Sequence, residues 1–478
     1  MLQEIAISQV LERIRFENGW WIANDIEPYF NEMPRRAYFE HFAKICMQKS
    51  VSRSVVLMGP RRVGKTVMLY HLVHQLIAED VAPRRILFIT VENPIYNNRS
   101  LEELFALGRE AAGAKDVTKG WYVIFDEIQY LKDWDVHLKS LVESYRDTRF
   151  VVSGSAAAAL QFKSRESGAG RFTDFMLPPL TFFEFINMQN LSELVMPSKL
   201  HFGGTELDLF EATDIRELNN RFVDYINFGG YPEAIFSETI RNNPERFIRN
   251  DVVEKVLLRD LPGLYGISDV QSLNSLFTTI AYNTAQEFSL DKLSAQSGIP
   301  KITIRKYLEY LEAAFLIKKV QRVDEAGKRF QRESGFKLYL TNTSLRAALF
   351  SPIQPIDEAM GALTETAIFA QWMHRENFTP WYARWSKGEV DMVGISPKNL
   401  KPVWALEIKW TDRPVDVTGD LRGLLSFCKD NNLESALVTT LTRQEVQEHG
   451  GIQITFIPSA AYAYTVGANT MKKQGEIF

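Results

Sequence analysis

At 478 residues the chain exceeds the roughly 250–300 residues at which a single hydrophobic core stops growing, so a multidomain protein is expected. Hydrophobic residues at 45% and charged residues at 24% exclude a disordered or fibrous chain. The formal net charge of -4 excludes a global attraction to nucleic acid, so any such contact must be local. Cys46 and Cys428 are the only cysteines, which excludes a disulfide framework and cysteine-ligated zinc and suits a reducing, cytoplasmic setting. The segment Met1 to Arg13 lacks the apolar core of a secretory signal, and no uncharged apolar run reaches the about 18 residues of a membrane helix. No membrane partner is expected.

Val55-Val56-Leu57-Met58 is a continuous apolar run, the pattern of a strand buried on both faces of a parallel sheet. Gly59-Pro60-Arg61-Arg62-Val63-Gly64-Lys65-Thr66 follows and matches G-x-x-x-x-G-K-[ST], with Val67 next in the helix it opens. In such a loop the glycines let backbone N–H groups turn toward phosphates. Lys65 supplies a point charge to the β and γ phosphates, and the Thr66 hydroxyl is a magnesium ligand. ATP and Mg2+ are the cofactors this implies.

Trp121-Tyr122-Val123-Ile124-Phe125 is a second buried-strand run, ending in Asp126-Glu127. Acids at the carboxyl edge of a parallel sheet lie where ligands bind, so Asp126 is a candidate metal ligand and Glu127 the group that polarises the attacking water. A third strand, Phe150-Val151-Val152, runs into Ser153-Gly154-Ser155, which either senses the γ-phosphate or simply turns the chain. Arg171, after Ser167-Gly168-Ala169-Gly170, and Arg165 before it are candidates for an arginine finger, supplied in cis or in trans.

These segments, together with Leu177-Pro178-Pro179-Leu180-Thr181-Phe182-Phe183-Glu184-Phe185 and Phe228-Gly229-Gly230-Tyr231-Pro232-Glu233, give the chain a known look. It resembles the prokaryotic AAA-type ATPases that carry a carboxy-terminal DUF4143 domain. The resemblance covers nearly the whole chain and implies an α/β multidomain architecture. That architecture is a P-loop AAA+ parallel sheet with helices on both faces at 1–205, a helical lid at 206–270, a winged helix at 271–345 and an α/β restriction-endonuclease-like domain at 346–478.

Further along, the stretch from Ile186 to Thr213 reads as a loop-rich connection, and Arg246 to Asp260 as a helix with Phe247, Val252 and Val256 on one side. Phe288 to Leu293 opens a helix, Ser297-Gly298-Ile299-Pro300 turns, and Ile302 to Phe315 forms a second helix, a helix-turn-helix pattern. Leu316 to Val320 and Lys337 to Leu340 read as a two-stranded wing. Residues 291–337 hold eleven Lys or Arg against six Asp or Glu, a local balance of +5 that is the local case for double-stranded DNA; the bland alternative is a protein-binding module.

In Glu389-Val390-Asp391-Met392-Val393 the strand period puts Glu389 and Asp391 on one face and Val390 and Met392 on the other. In Val403 to Trp410 it puts Glu407 and Lys409 on one side and Trp404, Leu406, Ile408 and Trp410 on the other. Two carboxylates on adjacent strands suit a hard divalent cation, and Lys409 suits a reacting phosphate. Charges alternating on a half-exposed strand are the competing reading. The set is similar to the PD-(D/E)xK nuclease fold. That likeness implies Asp391 and Glu407 as metal ligands, Lys409 as the catalytic lysine, and Glu365, on a helix from Met360 to Met373, as a third acid.

The seven histidines form no ligand cluster in sequence, and no nucleophile-elbow pattern appears. The expectation is an Mg2+-dependent ATPase coupling its nucleotide state to a DNA-directed, nuclease-like terminal domain, in defence or genome maintenance. The alternative is a nucleotide-dependent switch that binds a protein partner, or further copies of itself, through a catalytically silent terminal domain.

Overall fold

The computed structural model describes residues 6–48, 53–115, 117–155, 170–328, 335–375 and 378–475. The chain divides into two compact units, Met1–Pro178 and Pro179–Phe478. The first boundary therefore falls between two prolines rather than after residue 205. The physical reason lies in the helix Phe182–Met188, whose Phe182, Phe185 and Ile186 are buried in the core of the second unit.

In the first unit five parallel strands run in the order β2-β3-β4-β1-β5: β1 (Ser54–Met58), β2 (Ile86–Thr90), β3 (Tyr122–Asp126), β4 (Arg149–Gly154) and β5 (Phe172–Met176). The strands β1 and β3 are buried at every position, the burial that continuous apolar runs demand when helices cover both faces. The helix Lys65–Ala78 follows β1 and buries Met68, Leu69, Leu72, Val73 and Leu76, spaced to line one side. The order sets β4 between the phosphate-loop strand β1 and the acid-bearing strand β3.

An edge strand leaves a row of unpaired backbone groups, and β2 has its row closed by side chains. Asn18, at the end of the helix Ile7–Glu17, donates its amide to Phe88 O at 2.8 Å and accepts from Phe88 N at 2.7 Å. It thereby reproduces the two bonds of a neighbouring strand. Trp20 and Trp21 both donate their indole N–H to Ile86 O, at 3.1 and 2.8 Å.

The second unit holds a nine-stranded mixed sheet in the order β15-β16-β14-β13-β12-β11-β9-β10-β8 and a separate two-stranded hairpin. Its strands are β8 (Glu287–Phe288), β9 (Ile317–Val323), β10 (Phe336–Leu340), β11 (Trp381–Trp385), β12 (Gly388–Ile395), β13 (Pro402–Glu407), β14 (Ser435–Thr440), β15 (Glu445–His449) and β16 (Ile452–Pro458). The hairpin is β6 (Val195–Phe202) with β7 (Thr205–Ala212), where a loop-rich connection was expected. Gly203 and Gly204, at φ 57° and 76°, supply the two left-handed residues that a tight hairpin turn requires.

The helices Leu290–Ser297 and Lys301–Ala313 form the pair read from sequence, with Ile304, Leu308 and Leu311 buried and Lys301, Arg305 and Lys306 exposed. The strands after them pair antiparallel, Leu338 opposite Lys319. They do not stand apart as a wing, because β9 also pairs in parallel with β11, Tyr382 opposite Arg322. One sheet thus runs through the 271–345 and 346–478 segments. Residues 246–260 are helical, but wound as wide π-helical segments, Glu245–Glu254 and Val256–Asp260.

The register of β12 on β11 slips by one residue between Trp381 and Ala383. Such a bulge breaks strict alternation. Val390 and Met392, expected on one face, accordingly pack into two different core clusters.

Asn18→Ala would orphan the N–H and C=O of Phe88 at a buried site, at about 1–3 kcal/mol for each group. A lowered denaturation midpoint of the first unit and faster hydrogen exchange of the Phe88 amide are expected; an unchanged midpoint and exchange rate would contradict the edge-closing role.

Candidate functional site

The loop between β1 and its helix turns on two left-handed residues, Arg62 at φ 66° and Gly64 at φ 92°. Gly59 is required by a different constraint, since a Cβ there would lie 2.2 Å from the carbonyl oxygen of Leu177. Lys65 is buried, and its ammonium donates to the carbonyls of Gly59 at 3.1 Å and Pro60 at 2.8 Å, so the lysine folds back across its own loop. Burial pulls its pKa below the usual lysine range, against the pull of Glu127 and Asp126.

Asp126 closes the site from β3. Its two carboxylate oxygens are held from opposite sides: Thr66 Oγ1 donates to Oδ2 at 2.8 Å, and the Ser153 hydroxyl donates to Oδ1. Burial, and then the neighbouring Glu127 charge, push its pKa up to about 6. A carboxylate so placed favours a cation at its side. A hydroxyl and one carboxylate are hard oxygen donors of the kind magnesium takes when phosphates complete its shell, so these residues fit that ion.

Glu127 sits in a left-handed turn, φ 56° and ψ 49°, with its N–H donated to Ser153 Oγ at 3.1 Å. Its carboxylate accepts from the side-chain amide of Gln129, whose carbonyl accepts from Ser155 N at 3.1 Å. Gln129 therefore ties the side chain of Glu127 to the end of β4. Nothing local in the sequence marks this role, because the partner of Gln129 lies 26 residues away. Ser153 is engaged with Asp126 and Glu127, while the buried hydroxyl of Ser155 has no hydrogen-bond partner among the described residues.

Arg171 is not brought to this loop within the chain. It precedes β5, which pairs in parallel with β1, Ser54 opposite Phe172 and Met58 opposite Met176. Arg171 thus lies at the amino edge of the sheet and the loop at the carboxyl edge, about 17 Å apart over five residues of strand. Its guanidinium pairs with Glu143 at 2.7 Å. The cis finger is corrected on that ground; Arg165 lies outside the described residues.

In the second unit β12 and β13 pair antiparallel, Met392 opposite Leu406, which brings Asp391 beside Glu407. The Lys409 ammonium lies 2.6 Å from Glu407 Oε1 and 3.6 Å from Asp391 Oδ2, and the Ile408 N–H donates to Asp391 Oδ2 at 2.8 Å. The other side of the cluster was not anticipated. Lys337, buried in β10, reaches Glu365 Oε1 at 2.8 Å, Glu389 Oε1 at 2.7 Å and Asp391 Oδ1 at 3.6 Å. Tyr339 donates to Glu365 Oε1 at 2.6 Å. The available signal was a lysine inside Phe336–Leu340, a strand otherwise apolar and aromatic.

Burial raises Glu365 to about 7 and Glu407 to about 8, while the two lysines hold Asp391 below its ordinary value against the effect of burial. Glu407 Oε2 is buried without a hydrogen-bond partner among the described residues. The donors are hard oxygens, yet among the described residues no group of three His, Cys, Asp or Glu is arranged to hold a metal ion. Asp391, Glu407 and Glu365 as they stand do not fit the divalent cation expected of them, because lysine ammoniums occupy the space between the carboxylates. A cavity of about 430 Å³ opens onto Glu365, Asp391, Lys409 and Trp410.

Comparison with known proteins agrees with the first unit's geometry. Residues 51–186 match a family model described as an AAA domain. The chain carries an AAA-type ATPase domain, followed by a segment, 219–355, that matches a domain of unknown function (DUF8612), a different model from the DUF4143 of the resemblance. An uncharacterized protein of Haemophilus influenzae is 24% identical over 297 residues, 61% of this chain and 68% of that protein. One of Methanocaldococcus jannaschii is 21% identical over 355 residues, 72% of this chain and 73% of that protein. Among solved structures, the replication initiator DnaA bound to AMPPCP and single-stranded DNA matches at 13% identity and a TM-score of 0.27, covering 59% of this chain and 88% of that one. No described helix is long and apolar enough to cross a membrane.

Gly59→Ala drives a methyl against a backbone oxygen and forces the loop to move. Binding of a fluorescent ATP analogue is expected to weaken at least about tenfold, a loss of about 1.4 kcal/mol, with the circular dichroism spectrum intact. Unchanged affinity would show that the loop is not the nucleotide cradle.

Proposed function

We propose that this chain is a magnesium-dependent ATP hydrolase of the AAA+ kind whose nucleotide state governs a DNA-directed second unit. The observation that carries the reading is the Asp126 carboxylate held between Thr66 and Ser153 beside the buried Lys65. Backbone N–H groups of the 59–66 loop would receive the phosphates, and Lys65 would exchange its bonds to Gly59 and Pro60 for phosphate oxygens. Thr66 and Asp126 would hold Mg2+, which when bound neutralises charge on the β and γ phosphates. Glu127, oriented by Gln129 and by its bond to Ser153, would take the proton of the attacking water. Support for DNA comes from the exposed Lys301, Arg305 and Lys306 on the second helix of the helix pair. An arginine from a neighbouring copy, with Arg171 a candidate, would make the active form an oligomer.

Two readings of the terminal segment follow. A DUF4143-type, PD-(D/E)xK-like nuclease is favoured by the convergence of Asp391, Glu407 and Lys409. A catalytically silent domain that binds a protein partner is favoured by Lys337 and Lys409, which already face those carboxylates.

The test is ATP turnover with Mg2+ by wild type, Lys65→Ala and Glu127→Gln, with and without double-stranded DNA, followed by a gel on the same samples. Both variants are expected to lose at least about a hundredfold in kcat, the scale of a general base or a phosphate-binding charge. DNA is expected to stimulate the wild type. Cutting that disappears with Asp391→Ala supports the nuclease, and stimulation without cutting supports the silent domain. Turnover indifferent to Lys65→Ala would sink the ATPase reading.

A further inference from the structure

The Lys337 side chain is 3% exposed, and its ammonium sits among three carboxylates from two elements: Glu365 on the helix Met360–Met373, and Glu389 and Asp391 on β12. An ammonium has three N–H donors and no acceptor; here Glu365 and Glu389 lie within hydrogen-bond reach at 2.8 and 2.7 Å, and Asp391 Oδ1 adds an ion pair at 3.6 Å. We infer that Lys337 is the resident cation of this centre: its ammonium occupies the position between Glu365, Glu389 and Asp391 that a divalent ion would need, and the folded chain holds these acids without metal.

Three observations converge on this. The first is geometric, because both oxygens of Asp391 face a lysine ammonium: Oδ1 faces Lys337, and Oδ2 accepts from the Ile408 N–H and faces Lys409. The second is energetic. A buried carboxylate is costly unless it is protonated or paired, and here the chain supplies the pairs, Lys337 beside Glu365, Glu389 and Asp391 and Lys409 beside Asp391 and Glu407. The third is the absence, among the described residues, of any acid triplet open to a metal ion, although four acids lie within reach of the two lysines. The lysine belongs to β10, which pairs with β9 directly after the helix that exposes Lys301, Arg305 and Lys306. The strand that closes the carboxylate centre therefore pairs with the strand that leaves the basic helix. The inference does not depend on ATP hydrolysis.

The experiment is a Mn2+ titration of the full chain without nucleotide, read by the electron paramagnetic resonance signal of free Mn2+ and by thermal unfolding. Its variants are Asp391→Asn, Lys337→Met, the milder Lys337→Gln, and Lys337→Met combined with Asp391→Asn. Wild type and Asp391→Asn are expected to bind Mn2+ alike, with no Asp391-dependent site. Removing the ammonium is expected to raise Mn2+ affinity at least tenfold, and Asp391→Asn is expected to cancel the gain. Should Lys337→Met not fold alone, Mn2+ is expected to restore its unfolding transition, since a ligand that binds only the native state stabilises it. Wild-type binding that Asp391→Asn removes overturns the inference. So does the absence of any gain or rescue in both Lys337 variants.

Discussion

Everything in the nucleotide site depends on one buried carboxylate. Asp126 ends β3 at 2% exposure, and its charged form is disfavoured there by desolvation. It is held by hydroxyls from both neighbouring directions, Thr66 from the helix that follows β1 and Ser153 from β4. That grip is possible only because the sheet order sets β4 between β1 and β3. Strand order, loop and acid are one constraint. The Asn18 side chain and the two indoles at the far edge keep β2 from acting as a template for foreign strands, so the sheet that fixes this geometry stays closed.

The second unit meets the same physical problem and answers it differently. In the first unit the Asp126 carboxylate is held by the hydroxyls of Thr66 and Ser153, and the ion proposed for the site would complete it. In the second, Glu365, Glu389, Asp391 and Glu407 are met by Lys337 and Lys409 from the chain itself. A buried acid cluster is costly unless it is paired, and the difference between the two units lies in what supplies the pair. The bulge in β12 is part of that answer, since it falls where Asp391 leaves strict alternation.

Local patterns carried the first unit. A glycine-lysine loop between an apolar run and a helix, and acids at the end of another apolar run, need no knowledge of distant contacts. What the sequence left hidden was set by pairing. The arginine at 171 read as a finger because its glycine context is local, whereas its placement at the amino edge follows from the register of β5 on β1. Lys337 read as one more basic residue of a wing, because the three acids that surround it come from 28 to 54 residues away. Gly203-Gly204 lies between Leu200-His201-Phe202 and Leu207-Asp208-Leu209, an alternation that marks a hairpin, but the polar and glycine content of the whole stretch reads as a loop. The one-residue slip in β12 leaves no mark on the sequence at all.

The most direct test of the account is the magnesium dependence of ATP binding, measured by titration calorimetry on wild type and Asp126→Asn under conditions where turnover is negligible. The account predicts that Mg2+ tightens ATP binding at least about tenfold in the wild type, or about 1.4 kcal/mol, and leaves Asp126→Asn nearly unaffected. Equal tightening in both proteins would contradict it, because the carboxylate between Thr66 and Ser153 would then not be the group that receives the ion.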